Sequence, residues 1–286
     1  MSKSSDNFTL DNLLQRNEKL TSRLFEVNER LKESEAFKSH FISNITNEIL
    51  NPFSSILALS ENIGQLEGSE MKQAKKMAAL IHQEAFHLDF QLKNIFAAAA
   101  IESGLDELLP VSVDLCMMVE QVIHFFRHEI NARQLEVDFQ VKDVQQLARL
   151  KSFRTDEEHL ELILKNLVNN AVKFSPKNGK INIRMEMDEK MFRFSIRDFG
   201  TGISKEKYHV IFDRFKQLET SIQSRNSGHG LGLSVVNAHV QLFEGKIELE
   251  NPEGGGLEIR ITIPELDFLD DRGTLDDFLF NTGERF

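Results

Sequence analysis

Three short stretches of the chain hold residue types that could grip a nucleotide. In "NLVNNAVKFSP", residues 166 to 176, Asn166 and Asn170 stand four apart. On a helix that spacing makes them neighbours on one face. Their side-chain carbonyl oxygens are hard ligands of the type Mg2+ takes, and Lys173, on a neighbouring turn, can meet a phosphate. In "DFGTGI", residues 198 to 203, an aspartate closes a strand-like run. A buried Asp198 there can accept a hydrogen bond from an exocyclic amine, while Gly200 and Gly202 let backbone approach a flat ring. In "SGHGLGLSVV", residues 227 to 236, Gly228, Gly230 and Gly232 form a loop opening into a helical pattern. The first N–H groups of such a helix favour phosphate. Each stretch alone has an ordinary reading as solvated helix residues, a turn or a flexible loop. Three in this order, each beside the element its chemistry needs, do not.

Those residues need a scaffold. After Pro110, "CMMVEQVIHFFRHEINARQ" and "DEEHLELILKNLVNNAVKFS" repeat with helical period, and "LEVDFQV" alternates like a strand. "KINIRMEMDE" and "MFRFSIRDF" read as one strand pair, and "GKIELEN" and "GLEIRITIP" as another. Together they predict a two-layer α+β sandwich over residues 112–265. Residues 35–104 hold two helical stretches separated by "GQLEGSE" and stopped at Ser103-Gly104. This predicts an all-α helical hairpin, which becomes a four-helix bundle when dimerised. Within residues 1–34, Leu10, Leu13, Asn17, Leu20, Leu24, Val27 and Leu31 alternate gaps of 3 and 4, a heptad seam. It reads as an N-terminal parallel coiled coil with Asn17 fixing the register; the alternative is one amphipathic helix packed on its own domain. The tail, 266–286, mixes acidic residues with Phe268, Phe278 and Phe280. It is either disordered or a docking segment for a partner.

Composition narrows the setting. The 286 residues include 45 Asp and Glu against 34 Lys and Arg, a net charge of −11. A surface so acidic argues against nucleic-acid binding. Cys116 is the single cysteine, so no intrachain disulfide can form and a cytoplasmic location is expected. The longest apolar candidate, "IFAAAAI", falls far short of the ~20 residues that cross a bilayer, and "MSKSSDNF" shows no leader. No membrane insertion is expected.

The order "NLVNNAVKFS", "DFGTGI", "IFDRF", "GHGLGL" resembles the N, G1, F and G2 boxes of the two-component sensor histidine kinases. The helical hairpin is similar to their dimerisation and phosphoacceptor domain, and the resemblance covers roughly residues 35 to 265. It implies ATP or ADP bound with Mg2+. Asp198 would hold the adenine amine and Asn170 the metal, with Asn166 beside it and Lys173 at the phosphates. Gly200, Gly202 and Ile203, with Gly228, Gly230, Leu231, Gly232 and Leu233, would line the nucleotide. Residues 203 to 228 would form a lid with Phe212, Arg214 and Phe215 at its middle. The related gyrase-, Hsp90- and MutL-type ATPases place a glutamate, the base for water, four residues before the metal-binding Asn. This chain has Asn166 there, and an amide cannot take that proton. The resemblance therefore favours the kinase branch.

In that family the first hairpin helix carries a histidine, a glutamate, two residues, then Thr or Asn, then proline. The matching residues are Asn47, Glu48, Ile49, Leu50, Asn51 and Pro52. The histidine is missing, and so is the arginine often found at position 50. Autophosphorylation needs a ring nitrogen lone pair. The Asn47 nitrogen lone pair is delocalised into its carbonyl, so no phosphorylation is expected there. The change is either native or engineered, and Leu50, as a second departure, favours native. His40, His82 and His87 lack the acidic-and-proline context and read as solvated or packing residues. By resemblance, Glu48 and Asn51 retain the residues that dephosphorylate a response-regulator receiver domain. Two other outputs stay open: a non-catalytic ATP-responsive binding module, or a heterodimer with a second histidine kinase. In each case homodimerisation or pairing through the hairpin is expected.

Overall fold

The computed structural model describes residues 16, 19–25, 28, 46, 49–66, 70–104, 106–142, 147–208, 210–212 and 231–266. The chain divides into two compact units, Met1–Leu92 and Lys93–Phe286.

In the first unit the described residues are almost all helical. Residues 19–25 are helical, as are 49–64, here α1. Helix α2, Met71–Ser103, begins in this unit and ends in the next. It stops where the sequence places a glycine, with Gly104 at φ 64. Of the heptad seam only Leu20 and Leu24 fall among the described residues; both are helical and exposed. Leu50, Phe53 and Leu57, at gaps of 3 and 4 on α1, are also exposed. The tail beyond residue 266 lies outside the described residues, as do Asn47, Glu48 and His40.

The second unit is an α+β domain. Its elements run β1 Val111–Val113, α3 Leu115–Phe125, α4 Arg127–Ala132, β2 Glu136–Val141, α5 Leu147–Leu150 and β3 Phe153–Thr155. There follow α6 Glu157–Phe174, β4 Lys180–Asp188, β5 Met191–Asp198, α7 Gly232–Leu242, β6 Lys246–Glu250 and β7 Glu258–Pro264. A five-stranded sheet has the order β2-β4-β5-β7-β6. Only the β2–β4 pair is parallel. Strands β1 and β3 make a separate antiparallel pair. The two expected strand pairs form, as β4–β5 and β6–β7. One expected helix divides: α3 and α4 are separated at Phe126, whose φ of −91 and ψ of 13 leave the helical region.

Alternation makes the sheet one-faced. On β4 the buried positions are Ile181, Ile183, Met185 and Met187; on β5 they are Phe192, Phe194, Ile196 and Asp198. The period that buries three apolar residues on β5 thus also buries the aspartate at its end. Helix α6 packs on β5, and α7 on β6 and β7. Helix α6 starts because Asp156 accepts the His159 N–H at 2.9 Å, with Glu157 and Glu158 in the first turn. It buries Leu160, Ile163, Leu164, Leu167, Val168, Ala171 and Val172, spaced 3 and 1 in turn, along one stripe.

The other end of α6 is held by Arg133. Its Nη1 donates to the carbonyls of Val172, Lys173 and Ser175 at 3.0, 2.7 and 2.9 Å. These are carbonyls that a helix end leaves without partners, and a cation suits them. Arg133→Met should therefore lower unfolding free energy by about 1–3 kcal/mol, the cost of stranding part-buried polar groups. Urea denaturation at constant pH checks this; an unchanged midpoint would show that water replaces the guanidinium without loss.

Candidate functional site

Asp198 ends β5 on the core face and is 7 % exposed. Its Oδ1 accepts the Gly200 N–H at 2.8 Å and, more weakly, the Leu257 N–H at 3.4 Å. Burial pushes its carboxyl above the usual range, while those two N–H groups pull the other way. The carboxylate is thus oriented by backbone and stays in a site with little water.

The loop after it is shaped by close backbone approaches. A side chain at Gly200 would collide with the Phe174 carbonyl at the end of α6. Gly202 has φ 67, and a Cβ there would lie 2.8 Å from the Gly256 carbonyl and 2.9 Å from Asn251 Oδ1. Asn251 clamps the next peptide twice: its Nδ2 donates to the Ile203 carbonyl at 2.6 Å, and its Oδ1 accepts the Ile203 N–H at 3.3 Å. Gly254, Gly255 and Gly256 all have positive φ, at 92, 87 and 85. Arg197 fastens this turn through Nη2, which donates to the carbonyls of Glu253 and Gly255 at 2.8 and 3.1 Å. Its guanidinium also lies 4.5 Å from the Phe199 ring centroid.

The third stretch reaches α6 at a different point. Gly232 opens α7, and a Cβ there would lie 2.6 Å from Asn166 Oδ1. Leu231, the N-cap, is buried and offers no side-chain hydrogen bond, so among the described residues no side chain caps the first N–H groups of α7. Asn166 is 3 % exposed. Its Nδ2 donates to Asn94 Oδ1 at 2.6 Å and to the Leu162 carbonyl at 2.9 Å. Asn170, one turn on, is half-buried, and its side chain makes no hydrogen bond among the described residues. Lys173 is half-buried, with its amine 5.2 Å from the Phe174 ring centroid. Burial first, and the Arg133 charge second, lower its pKa to about 8.

The structure therefore sets Gly232, flanked by Leu231 and Leu233, against Asn166, and Gly200, two residues after Asp198, against the Phe174 carbonyl; Asn170 and Lys173 lie on α6 between those points, and Gly202 and Ile203 meet Asn251. Phe212 is half-buried in a 3-10 turn, Val210–Phe212. Arg214, Phe215, Gly228 and Gly230 lie outside the described residues. Asn51 is exposed on α1, where its carbonyl accepts Ser55 Oγ at 3.1 Å. Asn94, Asn251, Arg197 and the glycines at 254–256 escaped the sequence reading. "NPEGGG" could have been read as a turn, but nothing local says which loop it supports.

Residues 155–267 match the family of histidine kinase-, DNA gyrase B-, and HSP90-like ATPases. The circadian input-output histidine kinase CikA of Synechocystis sp. is 30% identical over 262 residues, 87% of this chain and 34% of that protein. CikA of Synechococcus elongatus is 26% identical over 246 residues, 86% of this chain and 32% of that protein. The chain thus spans about a third of the length of these relatives. Full-length ShkA, solved with AMPPNP, matches with a TM-score of 0.56 at 25% identity, covering 81% of this chain and 45% of ShkA. Histidine kinase ThkA, solved with response regulator protein TrrA, shares the fold, with a TM-score of 0.50 at 22% identity over 82% of this chain and 64% of that one.

The Gly254–Gly256 turn generates its own test. Gly256→Ala would set a methyl group against the Asp198 carbonyl at a φ of 85. It should destabilise the second unit by about 1–3 kcal/mol, and the loss should appear as a lower thermal midpoint. An alanine variant as stable as the parent would show that the turn can move away from Asp198.

Proposed function

Because the chain belongs to the two-component sensor histidine kinase family and carries its ATP-binding domain, we propose that it is a signalling protein that binds Mg-ATP without phosphorylating position 47. The observation that carries this reading is Asn47 itself, set in a phosphoacceptor motif that departs otherwise only at Leu50. In this reading Asp198 would hold the adenine amine, and the α7 N-terminus, which no side chain caps among the described residues, would face phosphate. The pocket's donor set also suits Mg2+, which when bound would neutralise phosphate oxygens. Asn170 is the better ligand, since its side chain is unengaged among the described residues. Asn166 donates its amide nitrogen to Asn94 and Leu162, which fixes its Oδ1 beside Gly232 at the start of α7.

The output we propose is dephosphorylation of a receiver domain. That reaction needs no histidine nucleophile. Water forms the new bond to phosphorus, the aspartyl–phosphate bond breaks, and the receiver carboxylate leaves with the electron pair. The Asn51 amide, exposed on α1, would align the water, and Glu48 precedes it by three residues in the sequence. The exposed stripe of Leu50, Phe53 and Leu57 favours a homodimer, in which a second copy covers it.

Lys173 gives the nucleotide site a pH signature. Its charged form attracts phosphate and predominates below about pH 8. Affinity for ADP should therefore be full near pH 7 and fall as the pH passes 8. In Lys173→Met the fall should vanish along with part of the affinity. Calorimetric titration across that range reads both, and a pH-independent wild type would remove Lys173 from the phosphate site.

The acceptor position is tested by labelling. With γ-labelled ATP the protein should incorporate no acid-labile phosphate, and Asn47→His should restore part of it. With a phosphorylated receiver, Asn51→Ala should abolish dephosphorylation while nucleotide affinity stays unchanged. Robust labelling of the unmodified chain would overturn the acceptor assignment. Receiver turnover that survives Asn51→Ala would overturn the output.

A further inference from the structure

A second group of side chains in the ATP-binding domain is organised for chemistry that the nucleotide site does not use. Asp106 comes from the segment between α2 and β1, His159 from the first turn of α6, and His239 from the last turns of α7. One ligand atom from each lies within 4.8 Å of the others. His159 Nε2 is 2.9 Å from Asp106 Oδ1, and His239 Nε2 is 3.5 Å from Asp106 Oδ2. The two imidazoles meet edge to face at 4.8 Å between centroids.

His239 is 1 % exposed; among the described residues its Nδ1 has no hydrogen-bond partner, and its Nε2 and Asp106 Oδ2 have none beyond their own 3.5 Å contact, which lacks hydrogen-bond geometry. Buried polar atoms without partners are rare because each forfeits its hydration. We propose that Asp106, His159 and His239 form a binding site for a first-row transition-metal cation, with Zn2+ the expected occupant.

The donor chemistry selects the metal. Two imidazoles and one carboxylate suit Zn2+ and its neighbours, whereas Mg2+ and Ca2+ prefer sites made entirely of oxygen. Tetrahedral zinc with bonds of 2.0–2.1 Å sets its ligand atoms about 3.3 Å apart. The present spacings run from 2.9 Å to at most 4.8 Å, so the widest pair would have to close by up to about 1.5 Å, and water would complete the fourth position.

The surroundings support the ligands. His159 Nδ1 lies 2.7 Å from Asp156 Oδ1. Asp156 is itself fixed by the Leu109 N–H at 2.8 Å and the His159 N–H at 2.9 Å. A carboxylate on the far nitrogen of a ligating histidine sets its tautomer and orientation. A bound ion would fasten the segment leaving α2 to α6 and α7. His159 precedes Asn166 by seven residues, about 10 Å along α6, so this site is distinct from the nucleotide pocket and does not depend on that reading. The rival occupant is a proton. Burial lowers the His159 pKa, but the contacts with Asp156 and Asp106 outweigh it and raise it to about 9.

The full chain, stripped with chelator and free of nucleotide, is titrated with Zn2+ by calorimetry and then assayed for metal content after dialysis. About one equivalent should bind, and the thermal midpoint should rise with it. Asp106→Asn and His239→Gln should each remove most of the binding. Asp156→Asn, which keeps a helix-capping side chain, should weaken it about 10- to 100-fold. Circular dichroism confirms folding, and Asp106→Asn decides the question if the buried His239 variant fails to fold. Cobalt as a probe should give the intense visible bands of a tetrahedral site. No zinc bound at micromolar concentrations, or binding unchanged in Asp106→Asn, would overturn the proposal and leave a proton-linked cluster.

Discussion

The buried amide of Asn166 ties the pocket together. It donates to Asn94 near the end of α2 and to its own helix, and its oxygen faces the first residue of α7. An amide this deeply buried costs several kcal/mol if its partners are lost. The end of α2, the middle of α6 and the start of α7 therefore cannot shift independently without stranding a polar group. Gly232 follows from this constraint, because any side chain there would displace the Asn166 oxygen. The α7 N-terminus is in turn brought against the helix face that carries Asn170.

A second constraint works from the sheet. The antiparallel register of β5 and β7 sets Arg197 opposite Glu258. That pairing carries the turn before β7 onto the loop after β5. The Gly254–Gly256 run and the "DFGTGI" loop then share one crowded space, and only glycine tolerates the approaches at Gly200 and Gly256. The position of the Asp198 carboxylate is therefore a product of strand register, and two glycine-rich loops keep backbone rather than side chains around it.

This explains which parts were legible in the sequence. Strands β4, β5, β6 and β7 announced themselves as paired strand-like runs, and α6 by its helical period. The three nucleotide stretches were legible because each combines residue types with a local element. The parallel β2–β4 pairing, the β1–β3 pair and the break at Phe126 were not, since they depend on contacts remote in sequence. Asn94 reads as one polar residue before an alanine run, and its partner lies 72 residues away. Asn251 and Arg197 are equally silent, because their hydrogen bonds go to backbone that the sheet register delivers. The Asp106–His159–His239 cluster escaped for the same reason: its members lie on three elements, and no spacing in the chain links them.

The substitution at position 47 separates two reactions that one helix can host. Phosphoryl capture needs a lone pair on the acceptor atom, and an amide nitrogen has none to give. Dephosphorylation of a partner needs only a polar group that holds water in line, and an amide does that well. Under the proposed function an amide in place of an imidazole would remove the first reaction and leave Asn51 for the second. It also alters what nucleotide can do. If position 47 takes no phosphoryl group, bound ATP would act on that helix through differential affinity for conformations of the chain. Under the proposed function the pocket would carry information as occupancy: nucleotide would shift the balance between states to the extent that contacts with Asp198, Lys173 and the α7 N-terminus differed between them.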